Sequence, residues 1–260
     1  MLLSSCNTNG ASEDTLTDWV QASTDASFEG RADHSSVVFD NKIWVIGGTN
    51  GDVANDYDFS DVWYSENGVD WTEATSNAAF GEANGASCFV FNDKMWVLGS
   101  YDGSDGHEND IHSSSDGVTW DEVNLDPAFS NRGLAVTLEY DGYLWMLGGY
   151  PSISNGVYYS LDGDTWTQAV GISEPFSGQV FKHSAVVYDN KMWTLGGMGA
   201  SYEYHQNIWY STDGVDWVEA GTGIPFGARQ GHTSVVFDGK VWVIGGNNGS
   251  EFYNDVWYAE

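Results

Sequence analysis

The chain has 260 residues, of which 38 are acidic and 8 basic, giving a formal net charge of −30. A field of that sign repels phosphates and removes nucleic acid from the expected partners, and no apolar run approaches the eighteen or so residues of a membrane-crossing helix. Solubility or salt adaptation of a secreted protein explains such acidity, with divalent-cation binding as the sharper alternative.

Residues 1–14 read as a tether. Leu3-Ser4-Ser5-Cys6 resembles the lipobox at which bacterial lipoproteins are cleaved and lipidated, and a polar stretch, Asn7 to Asp14, follows it. The resemblance implies lipidation at Cys6 and an extracytoplasmic place, as a cell-surface or periplasmic lipoprotein or a secreted protein. The other cysteine, Cys88, falls in a strand and is expected as a small buried hydrophobe, so no disulfide is expected.

From residue 15 onward the chain repeats itself. Clusters Lys42–Gly48, Lys94–Ser100, Tyr143–Gly149, Lys191–Gly197 and Lys240–Gly246 place a tryptophan at positions 44, 96, 145, 193 and 242. A period near fifty built of short strands is the mark of a β-propeller. Each unit parses into four strands. The first, as in His34–Phe39, ends in an Asp-Asn or Asp-Gly hairpin turn whose residues accept positive φ. The second is the tryptophan run ending in Gly-Gly. A variable loop leads to the third, Asp61–Ser65 or Asn207–Ser211, and a tight Ser-x-Asp/Asn-Gly-x-x-Trp turn leads to the fourth.

The last unit stops at Asp255–Glu260, one strand short, and Thr17–Ala22 matches the fourth strand Val69–Ala74. The predicted fold is therefore all-β: a five-bladed β-propeller of four-stranded antiparallel blades over residues 15–260. The N-terminal strand joins the C-terminal blade, leaving no open edge. Such a ring is expected to be a monomer.

The Gly-Gly pairs, the Arg-x-x-His starts at Arg31–His34 and Arg229–His232, and the downstream aromatics resemble the Kelch motif. The Ser-x-Asp-Gly-x-x-Trp turn resembles, more loosely, the Asp-box of sialidase-type propellers. Blade two departs from the pattern with Gly99-Ser100, blades two and three lack the histidine at the aligned Ser87 and Ala135, and blade three has Tyr158 in place of a tryptophan. The Kelch resemblance implies a binding scaffold, and some such propellers are enzymes, among them sialic-acid epimerases and copper oxidases.

Two sets of candidate residues follow. Arg31, Arg132, Lys182 and Arg229, with His34, His183 and His232, start innermost strands and converge on one channel mouth, where they would grip a carboxylate or sulfate or else tie blades together. On the same face, variable loops carry Tyr57, Tyr101, His107, Tyr150, Tyr202, Tyr204, His205, Phe252 and Tyr253, residue types suited to a sugar or a protein partner. The loop from Asp102 to Asp110 has the carboxylates for calcium but no EF-hand spacing. No nucleophile elbow, zinc spacing or phosphate loop appears, and no catalytic residue is assigned. The favoured reading is a binding module for a glycan or protein. The alternative is an epimerase or lyase acting on an acidic sugar at the Arg/His mouth.

Overall fold

The computed structural model describes residues 16, 18–51, 57–101, 107–123, 136–147, 157–161, 167–171, 180–199, 201–221 and 223–260. They form five four-stranded antiparallel sheets, with no helix among them. From the axis outward, blade one consists of Ser35–Phe39, Lys42–Ile46, Val62–Ser65 and Thr72–Thr75. Blade two runs Ser87–Phe91, Lys94–Tyr101, His107–Ser114 and Asp121–Glu122. Blade three runs Val136–Tyr140, Tyr143–Leu147, Val157–Ser160 and Thr167–Gln168. Blade four runs Ser184–Tyr188, Lys191–Leu195, Ile208–Ser211 and Val218–Gly221.

Blade five is Thr233–Phe237, Lys240–Asn247 and Phe252–Ala259, and its outer strand is Val20–Ser23. That strand pairs antiparallel with the last one, Val20 opposite Tyr258 and Gln21 opposite Trp257. The innermost strands pack in succession around an axis, and Thr233–Phe237 returns to Ser35–Phe39. The ring predicted from the two chain ends is thus closed.

Local chemistry explains the regularity. In every innermost hairpin both turn residues have positive φ, as in Asp40 and Asn41 (49° and 54°) or Asp238 and Gly239 (50° and 71°). That geometry matches the twist of the flanking strands. In the turn before the fourth strand, Ser211 Oγ accepts from the N–H of Asp213 and Gly214, and Asp213 Oδ1 accepts from Val215 and Asp216. The glycine there is required because a Cβ on Gly214 would meet the Trp145 ring of blade three at 2.1 Å, as Gly117 would meet Trp44 of blade one. Among the described residues, the turns of blades one, two and four therefore each seal a neighbouring blade's tryptophan.

Blade five has no such turn, and Leu16 fills the place. It accepts the Trp19 indole N–H at 3.1 Å, as Gly117 and Gly214 accept those of Trp120 and Trp217, and it is buried in the cluster around Trp193. The aromatic repeat is core packing between blades, as expected.

Candidate functional site

The loops between second and third strands and the links between blades emerge together on one face. Gly48 N–H donates to Ala83 O, Phe59 N–H to Gly48 O and Ala83 N–H to Phe59 O, so loop and link are hydrogen-bonded to each other. At the axis this face narrows to a collar. The residue two places after Arg31 and those at the corresponding positions of three other blades take left-handed backbone: Asp33 (φ 53°), Gly85 (68°), Lys182 (55°) and Gly231 (62°). Their backbones are chained, Gly231 N–H to Lys182 O, Asp33 N–H to Gly231 O and Gly85 N–H to Asp33 O. Above Gly231, Lys182 Nζ reaches Asp33 Oδ2 at 2.5 Å and joins blade four to blade one. A Cβ on Gly231 would lie 2.6 Å from Asp33 Oδ1, so glycine is what lets the pair cross.

Below the collar is a cavity of about 130 Å³ on the axis. Its lining includes Asp33, His34, Lys182, His183 and His232 of the collar region and small residues such as Ala86, Ser87, Cys88 and Thr137 of blades two and three. Hydroxyls stitch its wall, Ser36 to Thr233 at 2.6 Å and Ser184 to Ser234 at 2.5 Å, and Thr233 Oγ1 lies 2.9 Å from His34 Nε2.

The three histidines are buried, and two of them are spacers between blades. The His232 ring lies against Gly196 of blade four and the His34 ring against Gly245 of blade five, while the second glycine of each pair, Gly197, Gly246 or Gly48, faces the Cβ of its own blade's histidine. Burial pushes the His183 imidazole down to about 4 and that of His232 to about 3. For His34 burial and then the Arg31 charge hold it well below the usual range. All three are neutral at pH 7. Cys88 lines the cavity too, its thiol pushed up to about 12 by burial.

The structure separates the predicted mouth residues into two groups. His34, Lys182, His183 and His232 line the axial cavity, whereas Arg31 and Arg229 do not. Arg31 is fully buried; its guanidinium grips Asp61 through two bonds of 2.6 and 2.8 Å, donates to Gly47 O at 2.8 Å and stacks 4.1 Å from the Phe59 ring centre. Arg229 repeats the arrangement with Asp255 at 2.6 and 3.0 Å, Gly245 O at 2.8 Å and Tyr253 at 4.4 Å. Trp63 and Trp257 donate to the same carboxylates at 2.7 and 2.8 Å.

One alignment is corrected: the blade-two residue in the register of His34 is Ala86 rather than Ser87, since the innermost strands begin at Ser35, Ser87 and Ser184, and by the same register Lys182 corresponds to Asp33. Arg132 and Ala135 lie outside the described residues.

Around the collar, loops of blades four, five and one form a continuous arc. The lead-in to each innermost strand pairs with the start of the loop: Ala32 with Thr49, Val180 with Gly199 and Gln230 with Asn247. Tyr204 of blade four rests its hydroxyl on Gly249 of blade five, whose Cβ would stand 2.6 Å away. Asn248 Nδ2 donates to Tyr253 Oη at 2.6 Å, and Asn50 Nδ2 of blade one to Glu29 Oε2 at 3.1 Å. From this framework Tyr57 and Tyr202 project, 65% and 74% exposed. Tyr202 sits at φ 64°, an uncommon backbone for a bulky residue, with its N–H donated to Gly199 O. His205 and Phe252 are partly covered at the same rim.

Tyr101 and His107 are opposite each other at the loop ends of blade two. Tyr150, Cys6 and residues 102–106 lie outside the described residues. Among the described residues no group of three or more His, Cys, Asp or Glu is arranged to hold a metal ion. Asp33, Asp61, Asp255 and Gly231 were missed in the sequence. The signal was present, since arginine before the first strand and aspartate before the third occur together in blades one and five.

The comparisons agree with this geometry. The family model for the Kelch motif matches residues 30–64 and 228–258, the segments holding the two Arg–Asp pairs. The solved structure titled "Structure of YjhT" is similar in fold, with a TM-score of 0.56 at 17% identity over 87% of this chain and 79% of that one. No curated protein sequence matches the chain.

Proposed function

We propose that this five-bladed β-propeller, whose residues 30–64 and 228–258 match the Kelch motif, is a non-catalytic binding module whose loop face recognises a glycan. A Kelch propeller is a rigid ring that carries variable loops, and this much makes it a binding or interaction module. The observation that carries the glycan reading is the arc of blades four, five and one. Exposed tyrosines stand on loops fixed by backbone rungs and by Asn–Tyr and Asn–Glu bonds, a combination suited to stacking on a sugar face and bonding its hydroxyls. Leu3-Ser4-Ser5-Cys6 supports an extracytoplasmic place, with Cys6 as a lipid anchor.

An epimerase or lyase acting on an acidic sugar would need a cationic grip at the mouth. The described arginines there are saturated by Asp61 and Asp255, and Lys182 by Asp33, which favours the non-catalytic reading. A glycan array probed with the full chain and with Tyr57→Ala and Tyr202→Ala tests it. Binding that falls at least tenfold in the variants at unchanged melting temperature is expected. An array without signal points to a protein partner instead.

A further inference from the structure

Among the described residues, several buried polar atoms without partners gather at the axial cavity. Asp33 Oδ1 and His34 Nδ1 have none, and the His232 ring leans toward the Leu195 carbonyl without a hydrogen bond of ordinary geometry from either nitrogen. All three residues line the cavity. Unpaired polar atoms in a closed interior are costly, so such a group calls for a complement.

The chemistry of the complement follows from what these atoms offer. A carboxylate oxygen only accepts, whereas each neutral imidazole has one N–H to give and one lone pair to share. Adjacent hydroxyls on one molecule both donate and accept, and match that set. An anion does not match it. Lys182 is already neutralised by the other oxygen of Asp33, the imidazoles carry no charge at pH 7, and the chain as a whole stands at −30. The size is limiting as well, since 130 Å³ is close to the ~150 Å³ cavity that admits a benzene ring. It holds one edge of a pyranose, with the rest of a larger ligand left on the loops.

We propose that the axial cavity is the primary subsite of this propeller and takes the vicinal-diol edge of a neutral sugar, held by Asp33, His34 and His232. This rests on the glycan reading above and specifies its ligand as uncharged. The subsite exists because blade two carries Ala86 where blades one, four and five carry a histidine. A fourth imidazole there would fill the space, and Gly47 already stands where Gly245 and Gly196 stand beside the rings of His34 and His232.

Isothermal titration calorimetry on the full chain tests this, with methyl glycosides of glucose, galactose and mannose as neutral probes and glucuronate and N-acetylneuraminate as charged ones. At least one neutral glycoside is expected to bind. Its affinity is expected to fall at least tenfold in Ala86→His, which fills the cavity, and in His232→Phe, which keeps a ring and removes both nitrogens; either variant suffices if the other fails to fold. Undiminished binding of the neutral glycoside in the folded variant overturns the cavity assignment and leaves a glycan site on the loops. Preference for the acidic sugars overturns the neutral class. Absence of any sugar binding to the native chain defeats the glycan reading itself.

Discussion

Blades five and one are near copies of each other, and blade two differs from both at linked positions. Where blade one has Arg31, His34 and Gly47-Gly48, blade two has Ala83, Ala86 and Gly99-Ser100. In the first pair the arginine clamps the carbonyl of the first glycine, and blade five's glycine makes room for the His34 ring. In blade two the clamp and the ring are both replaced by methyl groups, and the axial cavity opens beside Ala86. The repeat motif is therefore mainly a device for joining blades, and a binding space arises where it lapses.

This contrast can be broken at its strongest point by removing a clamp. Arg229→Met leaves Asp255 buried with only the Trp257 indole as a donor, and is expected to cost about 3–5 kcal/mol in urea unfolding. Arg31→Met is expected to cost a similar amount. A cost below 1 kcal/mol for both would mean that the pairs do not hold the blades.

The histidine seams give a pH signature of somewhat smaller size. His183 and His232 have folded values depressed to about 4 and about 3, against 6.5 when unfolded, so the unfolded chain binds more protons between those limits. Their contribution is complete above pH 6.5 and is lost as pH falls, down to about 4 for His183 and about 3 for His232, the first part of the loss preceding the carboxylates. Between pH 7 and pH 5 each depressed histidine loses about 2 kcal/mol of its contribution. The melting temperature is expected to drop from pH 7 to pH 5, and the drop to shrink in His183→Asn; a flat profile would contradict the seam.

The glycine–histidine pairing can be sharpened with a cycle. Gly48→Ala places a Cβ 2.6 Å from that of His34 at φ 98° and should cost about 3 kcal/mol. Gly227→Ala, with left-handed backbone but open space, should cost about 1 kcal/mol. His34→Gly combined with Gly48→Ala should recover part of the first loss; strict additivity would show that the two do not meet.

Much of this fold was legible in the sequence because its determinants are local. Hairpin turns need left-handed Asp, Asn or Gly, the outer turn needs a glycine over a tryptophan, and both recur at a fixed period that also exposes Val20–Ser23 as the missing fourth strand. The site was less legible because its determinants lie between strands. Arg31 looks like a ligand-binding cation until Asp61, thirty residues later, is seen to hold it. Lys182 looked like another member of that set, although its left-handed backbone places it with Asp33 and Gly231. The cavity depends on an alanine, which carries no chemical signature of its own.

The direct measurement of the central contrast is hydrogen exchange followed by mass spectrometry on two strands of equal length, Lys240–Asn247 in blade five and Lys94–Tyr101 in blade two. With its carbonyl clamped by Arg229 and its glycine packed on His34, the blade-five strand should exchange only through global unfolding. The blade-two strand should exchange at least tenfold faster. Equal protection of the two, or the reverse order, would contradict the claim that the motif residues are what lock the blades.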